Sequence, residues 1–102
     1  MGDLYDVAAV GEIDPGEAKL VEAGGKEIAL FNCEGEYYAL DNDCTHVGGP
    51  LCEGEIIGDR VVCPWHGAEF SIRTGEVLGP PADESVGTYR VSIEDGRILI
   101  EI

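Results

Sequence analysis

The sequence is poor in positive charge. Only 6 residues are Lys or Arg, against 21 Asp or Glu, and the formal net charge at pH 7 is −15. Nucleic-acid binding depends on Lys and Arg side chains that neutralise phosphates, and anionic membrane surfaces attract the same residues. The composition therefore argues against nucleic acid and membranes as partners, and it favours a partner protein with a basic surface.

Long apolar runs are also missing. The longest strictly aliphatic or aromatic runs have four residues, such as 7–10 and 28–31, whereas a membrane-spanning helix needs about 20. The first six residues contain neither a basic nor an apolar stretch, so no secretory signal is visible. We therefore expect a cytoplasmic protein. In a reducing cytoplasm, four cysteines favour metal or redox chemistry over disulfide bonds.

A sustained helical period is missing as well. Short runs rich in Val, Ile, Tyr and Leu lie between 15 glycines and 5 prolines, which is typical of short β-strands. Asp95-Gly96 predicts a type I′ hairpin turn, because both residues tolerate positive φ. Residues 14–17 have the features of a helix start, but the segment before Gly24 is too short for a stable helix, so we predict a strand there. The predicted strands are 4–10, 18–22, 27–33, 36–40, 60–63, 69–72, 88–94 and 97–101.

The middle of the chain, from Asp41 to Pro81, differs in composition. It contains three of the four cysteines, both histidines, four of the five prolines and the only Trp. Alternation of apolar residues weakens there. We interpret the two ends of the chain as a β-sheet scaffold that holds a loop-built site in the middle.

Two segments of this middle region each combine a thiol with an imidazole. Residues 44–48 read Cys-Thr-His-Val-Gly and residues 63–67 read Cys-Pro-Trp-His-Gly. The short spacing lets one loop supply both a Cys and a His to one metal centre. The candidate ligands are Cys44, His46, Cys63 and His66.

Two kinds of metal centre suit these donors. A closed zinc site would satisfy the ligand count, but common zinc modules take two Cys from one knuckle, whereas each loop here mixes one Cys with one His. A [2Fe–2S] cluster with two Cys on one iron and two His on the other fits better, because each loop then gives one ligand to each iron. Zinc stays the alternative.

The spacing Cys-x-His-x₁₆-Cys-x₂-His, formed by Cys44, His46, Cys63 and His66, resembles the Rieske motif. The resemblance covers nearly the whole chain. Gly-Glu-Ala-Lys-Leu-Val at 16–21 and Cys-Pro-Trp-His-Gly-Ala-Glu-Phe at 63–70 look like the small Rieske ferredoxins of bacterial ring-hydroxylating dioxygenases. Gly-Pro-Pro at 79–81 resembles the proline loop that shields the cluster in that family.

The resemblance implies an all-β fold of stacked antiparallel sheets. It implies one domain over 1–102, with a cluster-binding subdomain and the proline loop inserted at 42–81. It also implies that two ligands, Cys44 and Cys63, hold the inner iron of one [2Fe–2S] cluster. The other two, His46 and His66, would then hold the solvent-facing iron.

The same resemblance implies an electron carrier and not an enzyme, because four protein ligands leave no open site for a substrate on either iron. The expected function is to accept one electron from a flavin-dependent or ferredoxin reductase and to pass it to a terminal Rieske oxygenase. The expected state is a cytoplasmic monomer.

Two other functions stay open at this point. An electron-transfer subunit held permanently in a larger oxidoreductase, as in nitrite reductases, would share the fold and expose a large apolar patch. A zinc-stabilised binding module would be colourless, whereas a Rieske cluster absorbs visible light.

The remaining cysteines and acidic pairs have simpler interpretations. Cys33 closes an apolar strand and is interpreted as a core residue, and Cys52 breaks the motif spacing and is not expected to bind metal. Trp65 is interpreted as a side chain that covers the cluster from water, and a contact with a partner protein is the alternative. The acidic pairs 41/43 and 53/55 are either docking charges or ordinary solvated surface.

We expect a midpoint potential at the low end of the Rieske range, on the order of −150 mV. Gly49 and Trp65 stand where the high-potential Rieske proteins of cytochrome complexes form a disulfide. Ala68 and Phe70 stand where those proteins carry hydroxyls that hydrogen-bond to the cluster region, so the reduced cluster is stabilised less here. Direct voltammetry of the cluster-loaded protein measures the potential, and a value well above zero would contradict the expectation.

Overall fold

The computed structural model describes residues 3–42, 50–64, 67–79 and 85–102. Over these ranges the chain forms strands and one short 3₁₀ helix at Leu51–Glu53, and no helix is long and apolar enough to cross a membrane. The strands are β1 (Leu4–Ala9), β2 (Glu17–Ala23), β3 (Lys26–Cys33), β4 (Glu36–Asp41), β5 (Glu55–Ile57), β6 (Arg60–Val62), β7 (Glu69–Ser71), β8 (Val77–Gly79), β9 (Thr88–Glu94) and β10 (Arg97–Glu101).

Every strand predicted from the sequence is present, and each boundary lies within one residue of the prediction. Residues 14–17 form a turn in which the N–H of Glu17 donates to the carbonyl of Asp14 (3.0 Å), and β2 begins there. Asp95 and Gly96 both have positive φ, 49° and 76°, as a type I′ turn requires. The sequence missed β5 and β8, which have only three residues each and are too short for an alternation signal.

The strands form two antiparallel sheets, which confirms the expected all-β fold of stacked sheets. The larger sheet has the order β1-β10-β9-β4-β3-β2, and the smaller has the order β5-β6-β7-β8. Ala8 of β1 and Val21 of β2 lie on opposite edges of the larger sheet, yet both pack into one core. The larger sheet therefore curls until its two edges approach each other.

Strand β3 separates two hydrophobic cores. Ile28 and Leu30 face the core inside the curled sheet. Ala29, Phe31 and Cys33 face the opposite way, into a core shared with the smaller sheet. Because both faces of β3 are buried, its burial is almost continuous where a half-buried strand would alternate. We call the core between the two sheets the shared core.

Two leucines on neighbouring strands test this assignment. Leu30 of β3 is fully buried, whereas Leu20 of β2 is 42% exposed. Leu30→Ala should lower the free energy of unfolding by about 2–5 kcal/mol, because it leaves a cavity in a packed core. Leu20→Ala should cost less than about 1 kcal/mol. Urea unfolding of the two variants at equal cluster content measures both free energies. An equal decrease in the two variants would show that β3 is not buried between the two cores.

Candidate metal centre

The described residues include the base of each loop that carries the predicted site. Cys63 is the one predicted ligand among them. Several residues singled out in the sequence lie outside the described ranges: Asp43, Cys44, His46, Gly49, Trp65, His66, Pro80 and Pro81. The site is therefore built here from the strand ends and the residues that close each loop.

Asn42 closes the loop that carries Cys44 and His46. It follows β4 directly, and it is 5% exposed. Its carbonyl oxygen accepts the N–H of Leu51 (2.7 Å), and its side-chain Oδ1 accepts the N–H of Cys52 (3.0 Å). A short polar side chain can replace the missing main-chain acceptor in this way where a strand ends. One buried residue thus holds both ends of the segment 43–49.

Cys63 closes the second loop. Its N–H donates to the carbonyl of Ala68 (2.7 Å), and its own carbonyl accepts the N–H of Gly67 (3.0 Å). Gly67 has a φ of 74°, a left-handed conformation that glycine adopts without a Cβ clash. The backbone therefore returns from the end of β6 to the start of β7 within a few residues.

Both loop bases rest on the shared core. Leu51, Cys63 and Ala68 all belong to it, and each is at most 1% exposed. Phe70 lies in the same core, so Ala68 and Phe70, the two positions that the sequence resemblance singled out for their lack of a hydroxyl, are both buried apolar groups. A close-packed core transmits displacement between its members. The two loops are therefore anchored as one unit.

The segment 80–84 is also closed at its base. The N–H of Val77 donates to the hydroxyl oxygen of Ser85 (3.2 Å), and the N–H of Val86 donates to the carbonyl of Gly75 (2.9 Å). These bonds join Gly75 and Val77, which precede the segment, to the residues that follow it. The predicted proline loop lies mostly outside the described residues, and the sequence gave no sign of these closing residues.

The other two cysteines are not arranged as metal ligands. Cys33 is 1% exposed, and its thiol donates to the carbonyl of Gly58 (3.5 Å), which confirms its assignment as a core residue. Cys52 packs against the shared core. Burial raises the pKa of both thiols. Thiolate is the metal-binding form, so a raised pKa disfavours both as ligands.

The acidic pairs do not behave alike. Glu53 and Glu55 are exposed, in agreement with either interpretation of that pair. Asp41 is half-buried, and its carboxylate accepts hydrogen bonds from the N–H of Gly87 and the hydroxyl of Tyr89. The carboxylate of Asp41 therefore holds two chain segments together, a role that neither interpretation of the pair included. Asp43 lies outside the described residues.

The donor chemistry suits a [2Fe–2S] cluster of mixed ligation. Cys63 is a free thiol at a buried position, as expected for a ligand of the inner iron. The bases of the two loops that carry the candidate donors close on a common core. When bound, the cluster supplies a reversible one-electron change, and the chain supplies ligands and an apolar floor.

Comparison with known proteins agrees with this chemistry. The family model described as the Rieske [2Fe-2S] domain matches residues 3–90. The chain is 38% identical to the ferredoxin component of the naphthalene 1,2-dioxygenase/salicylate 5-hydroxylase systems of a Ralstonia species, over 95% of this chain and 93% of the relative. It is also 38% identical to the biphenyl dioxygenase ferredoxin subunit of Pseudomonas sp. strain KKS102, over 91% of this chain and 86% of that protein.

Solved structures share the fold. The Sphingomonas yanoikuyae B1 ferredoxin superposes with a TM-score of 0.92 at 33% identity, covering 98% of this chain and 99% of that one. A chain of the complex of reduced oxygenase and oxidised ferredoxin in carbazole 1,9a-dioxygenase gives a TM-score of 0.91 at 28% identity, covering 96% and 92%.

The family match is to an iron–sulfur domain, so the zinc alternative is set aside. The relatives are named as ferredoxin components of oxygenase systems and not as the oxygenases themselves. The chain belongs to the Rieske [2Fe–2S] family, and it is an electron-transfer ferredoxin that carries a Rieske cluster.

Proposed function

We propose that this ferredoxin delivers single electrons to the terminal oxygenase of an aromatic-ring-hydroxylating dioxygenase system. The observation that carries the proposal is a likeness along nearly the full length of both chains to ferredoxin components of such systems. A flavin-dependent or ferredoxin reductase supplies the electron. In this proposal the protein acts in the cytoplasm as a monomer, and 1–102 is one domain in which 42–81 forms the cluster-binding subdomain and the proline loop.

The ligand set is part of the same proposal. Cys44 and Cys63 bind the inner iron, and His46 and His66 bind the outer iron. The burial of Cys63 supports an inner position for the thiolate ligands. The common anchoring of both loop bases supports a single centre between them.

Electron paramagnetic resonance of the reduced protein tests the ligand set. His46→Ala and His66→Ala should lose the Rieske spectrum, because each removes one of two imidazoles from the outer iron. Cys33→Ser and Cys52→Ser are the matched controls and should keep it, since both thiols are placed as packing groups. An intact Rieske spectrum in His66→Ala would refute the assignment.

The charge distribution favours a basic docking surface on each partner. Five of the six cationic side chains lie in ion pairs with carboxylates: Lys19, Arg60, Arg73, Arg90 and Arg97. Lys26 lies over the ring of Tyr89, 5.8 Å from its centroid. Five of the six positive charges are thus paired locally, and most of the acidic excess remains to attract a basic protein. Glu53 and Glu55 are exposed beside the base of the first ligand loop.

Stopped-flow reduction of the oxygenase across a salt series tests this electrostatic docking. The second-order rate should fall as ionic strength rises, because salt screens exposed charges within about 8–10 Å. At low salt Glu53→Lys should slow encounter roughly twofold to tenfold.

The control is Glu94→Lys. It makes the same charge change at an exposed position next to the β9–β10 hairpin turn. This variant should slow encounter less than Glu53→Lys does. A rate that does not respond to salt, or equal slowing by both reversals, would show that the acidic excess does not steer docking.

A further inference from the structure

A groove opens in the larger sheet where β4 and β9 separate. The two strands pair at only two positions, and the pair farther from the ligand loops is Ala39 with Tyr89. Both strands continue past this pair, β4 back to Glu36 and β9 on to Glu94, and every residue of both is described. Their unpaired ends leave a gap in the sheet.

Backbone hydrogen-bonding groups of both strands point into this gap. In an antiparallel sheet these groups alternate from one side of a strand to the other. The N–H of Asp41 donates to Gly87 on the β9 side, so the N–H and carbonyl of Tyr37, four residues earlier in β4, face the same way. By the same alternation, the groups of Val91 and Ile93 in β9 face β4. The gap can therefore accept a further extended segment, and β9 offers it more partners than β4.

The groove in this gap is largely apolar and has a volume of about 490 Å³. Its apolar lining consists of Val10, Tyr37, Tyr38, Val91 and Ile93. Val10 and Ile93 are large apolar side chains that nevertheless stay exposed. The volume is in the range of ordinary binding pockets, about 300–1,000 Å³. We call this feature the distal groove.

The two faces of the sheet differ around the distal groove. Tyr37 of β4 and Val91 of β9 pack toward the core inside the curled sheet. Glu36 directly precedes Tyr37, and Glu94 lies three residues after Val91, so alternation along each strand turns both carboxylates to the opposite face. Both are exposed. An extended segment in the gap would thus meet apolar groups on one face and carboxylates on the other.

The surroundings of the distal groove are acidic. Glu34 and Asp95 stand in the two turns that border it, between β3 and β4 and between β9 and β10, and both are exposed. The nearby cations Arg73 and Arg97 are each held in an ion pair with a carboxylate. A second copy of the chain would bring the same net charge of −15, so like charges oppose self-association there. Charge complementarity favours a basic occupant.

We propose that the distal groove is a docking site for an extended basic segment of a partner protein. The backbone of this segment pairs with β9, its apolar side chains enter the groove, and its Lys or Arg side chains meet Glu36 and Glu94. Addition of a strand to the open side of a sheet strand is a common mode of peptide recognition. The inference goes beyond the proposed function and does not depend on it.

The distal groove lies away from the ligand loops. Asp41, at the other end of β4, leads toward the first ligand loop, and a strand rises about 3.3 Å per residue, so Glu36 is roughly 17 Å from it. A partner bound in the groove leaves the ligand-loop end available for electron transfer. The groove therefore suits a protein that holds the ferredoxin while the cluster exchanges electrons with another partner.

The probe is an eight-residue peptide of alternating Lys and Val with blocked ends. Calorimetric titration of the cluster-loaded protein should give a dissociation constant below about 1 mM. The NMR amide shifts that the peptide causes should be confined to Val10, β4 and β9. The same peptide with methylated backbone nitrogens should bind about tenfold more weakly or worse, because it cannot pair with β9.

Ile93→Ser and Glu94→Gln test the two faces of the site. Ile93→Ser should weaken peptide binding about tenfold or more, because it removes apolar surface that the peptide covers. Glu94→Gln should weaken it about twofold to fivefold, the effect typical of one exposed ion pair. Leu20→Ser is the matched control, since Leu20 of β2 is a similarly exposed apolar residue outside the groove. It should leave the dissociation constant unchanged.

Three results would overturn the proposal. The first is no binding of the Lys-Val peptide at about 1 mM. The second is equal binding of a Glu-Val peptide, which would show that positive charge is not recognised. The third is a dimer that sedimentation detects in the wild type and not in Ile93→Ser, which would assign the groove to a second copy of the chain. No oxygenase enters these experiments, so failure of the protein to reduce an oxygenase would refute the proposed function alone.

Discussion

Packing in the shared core is the constraint on which the site depends. Leu51 at the end of the first ligand loop and Cys63 at the start of the second are buried in one core with Phe31 of β3. Dense packing leaves neither loop base free to move alone. The bases of both loops are thereby anchored on the same apolar side chains.

At the ends of the strands, polar side chains accept the hydrogen bonds of backbone N–H groups that have no main-chain partner. Asn42, Asp41 and Ser85 each accept a backbone N–H at the base of a site loop. Strand ends lose their regular main-chain partners, and an unpaired buried N–H is costly. Short side chains with an oxygen acceptor satisfy these donors without lengthening the strand. The same three bonds fix where each loop leaves and re-enters the scaffold.

The charged surface has a different role from the core. The ion pairs are exposed or half-exposed, and exposed pairs contribute little to stability, typically about 0–1 kcal/mol. Arg97 and Asp6 join β10 to β1 by a bidentate contact, yet both side chains are 48% exposed. The effect of these pairs is on the external field, because they neutralise the few cations locally and leave the molecule acidic. The apolar cores thus stabilise the fold, and the carboxylates outside these ion pairs attract a basic partner.

The sequence by itself determined the eight longer strands and indicated the kind of cofactor. Hairpin turns such as Asp95-Gly96 are encoded in two adjacent residues, and alternation along a strand is local, so both can be read without a structure. The pattern that points to a mixed Cys and His centre is also local, because each segment carries its Cys and His within a few residues. Cys33 could be placed in the core for the same reason, from the apolar strand that it ends.

Only the tertiary structure decided how the loops are held. Asp41 bonds to residues 46 and 48 positions away, and nothing in the neighbouring sequence distinguishes it from a surface carboxylate. The burial of β3 on both faces depends on the smaller sheet, whose strands β5 and β8 are too short to be recognised alone. A hydrogen bond between distant segments requires both to be folded into place, so its partners are defined by the packing of the sheets and not by any local pattern of residues.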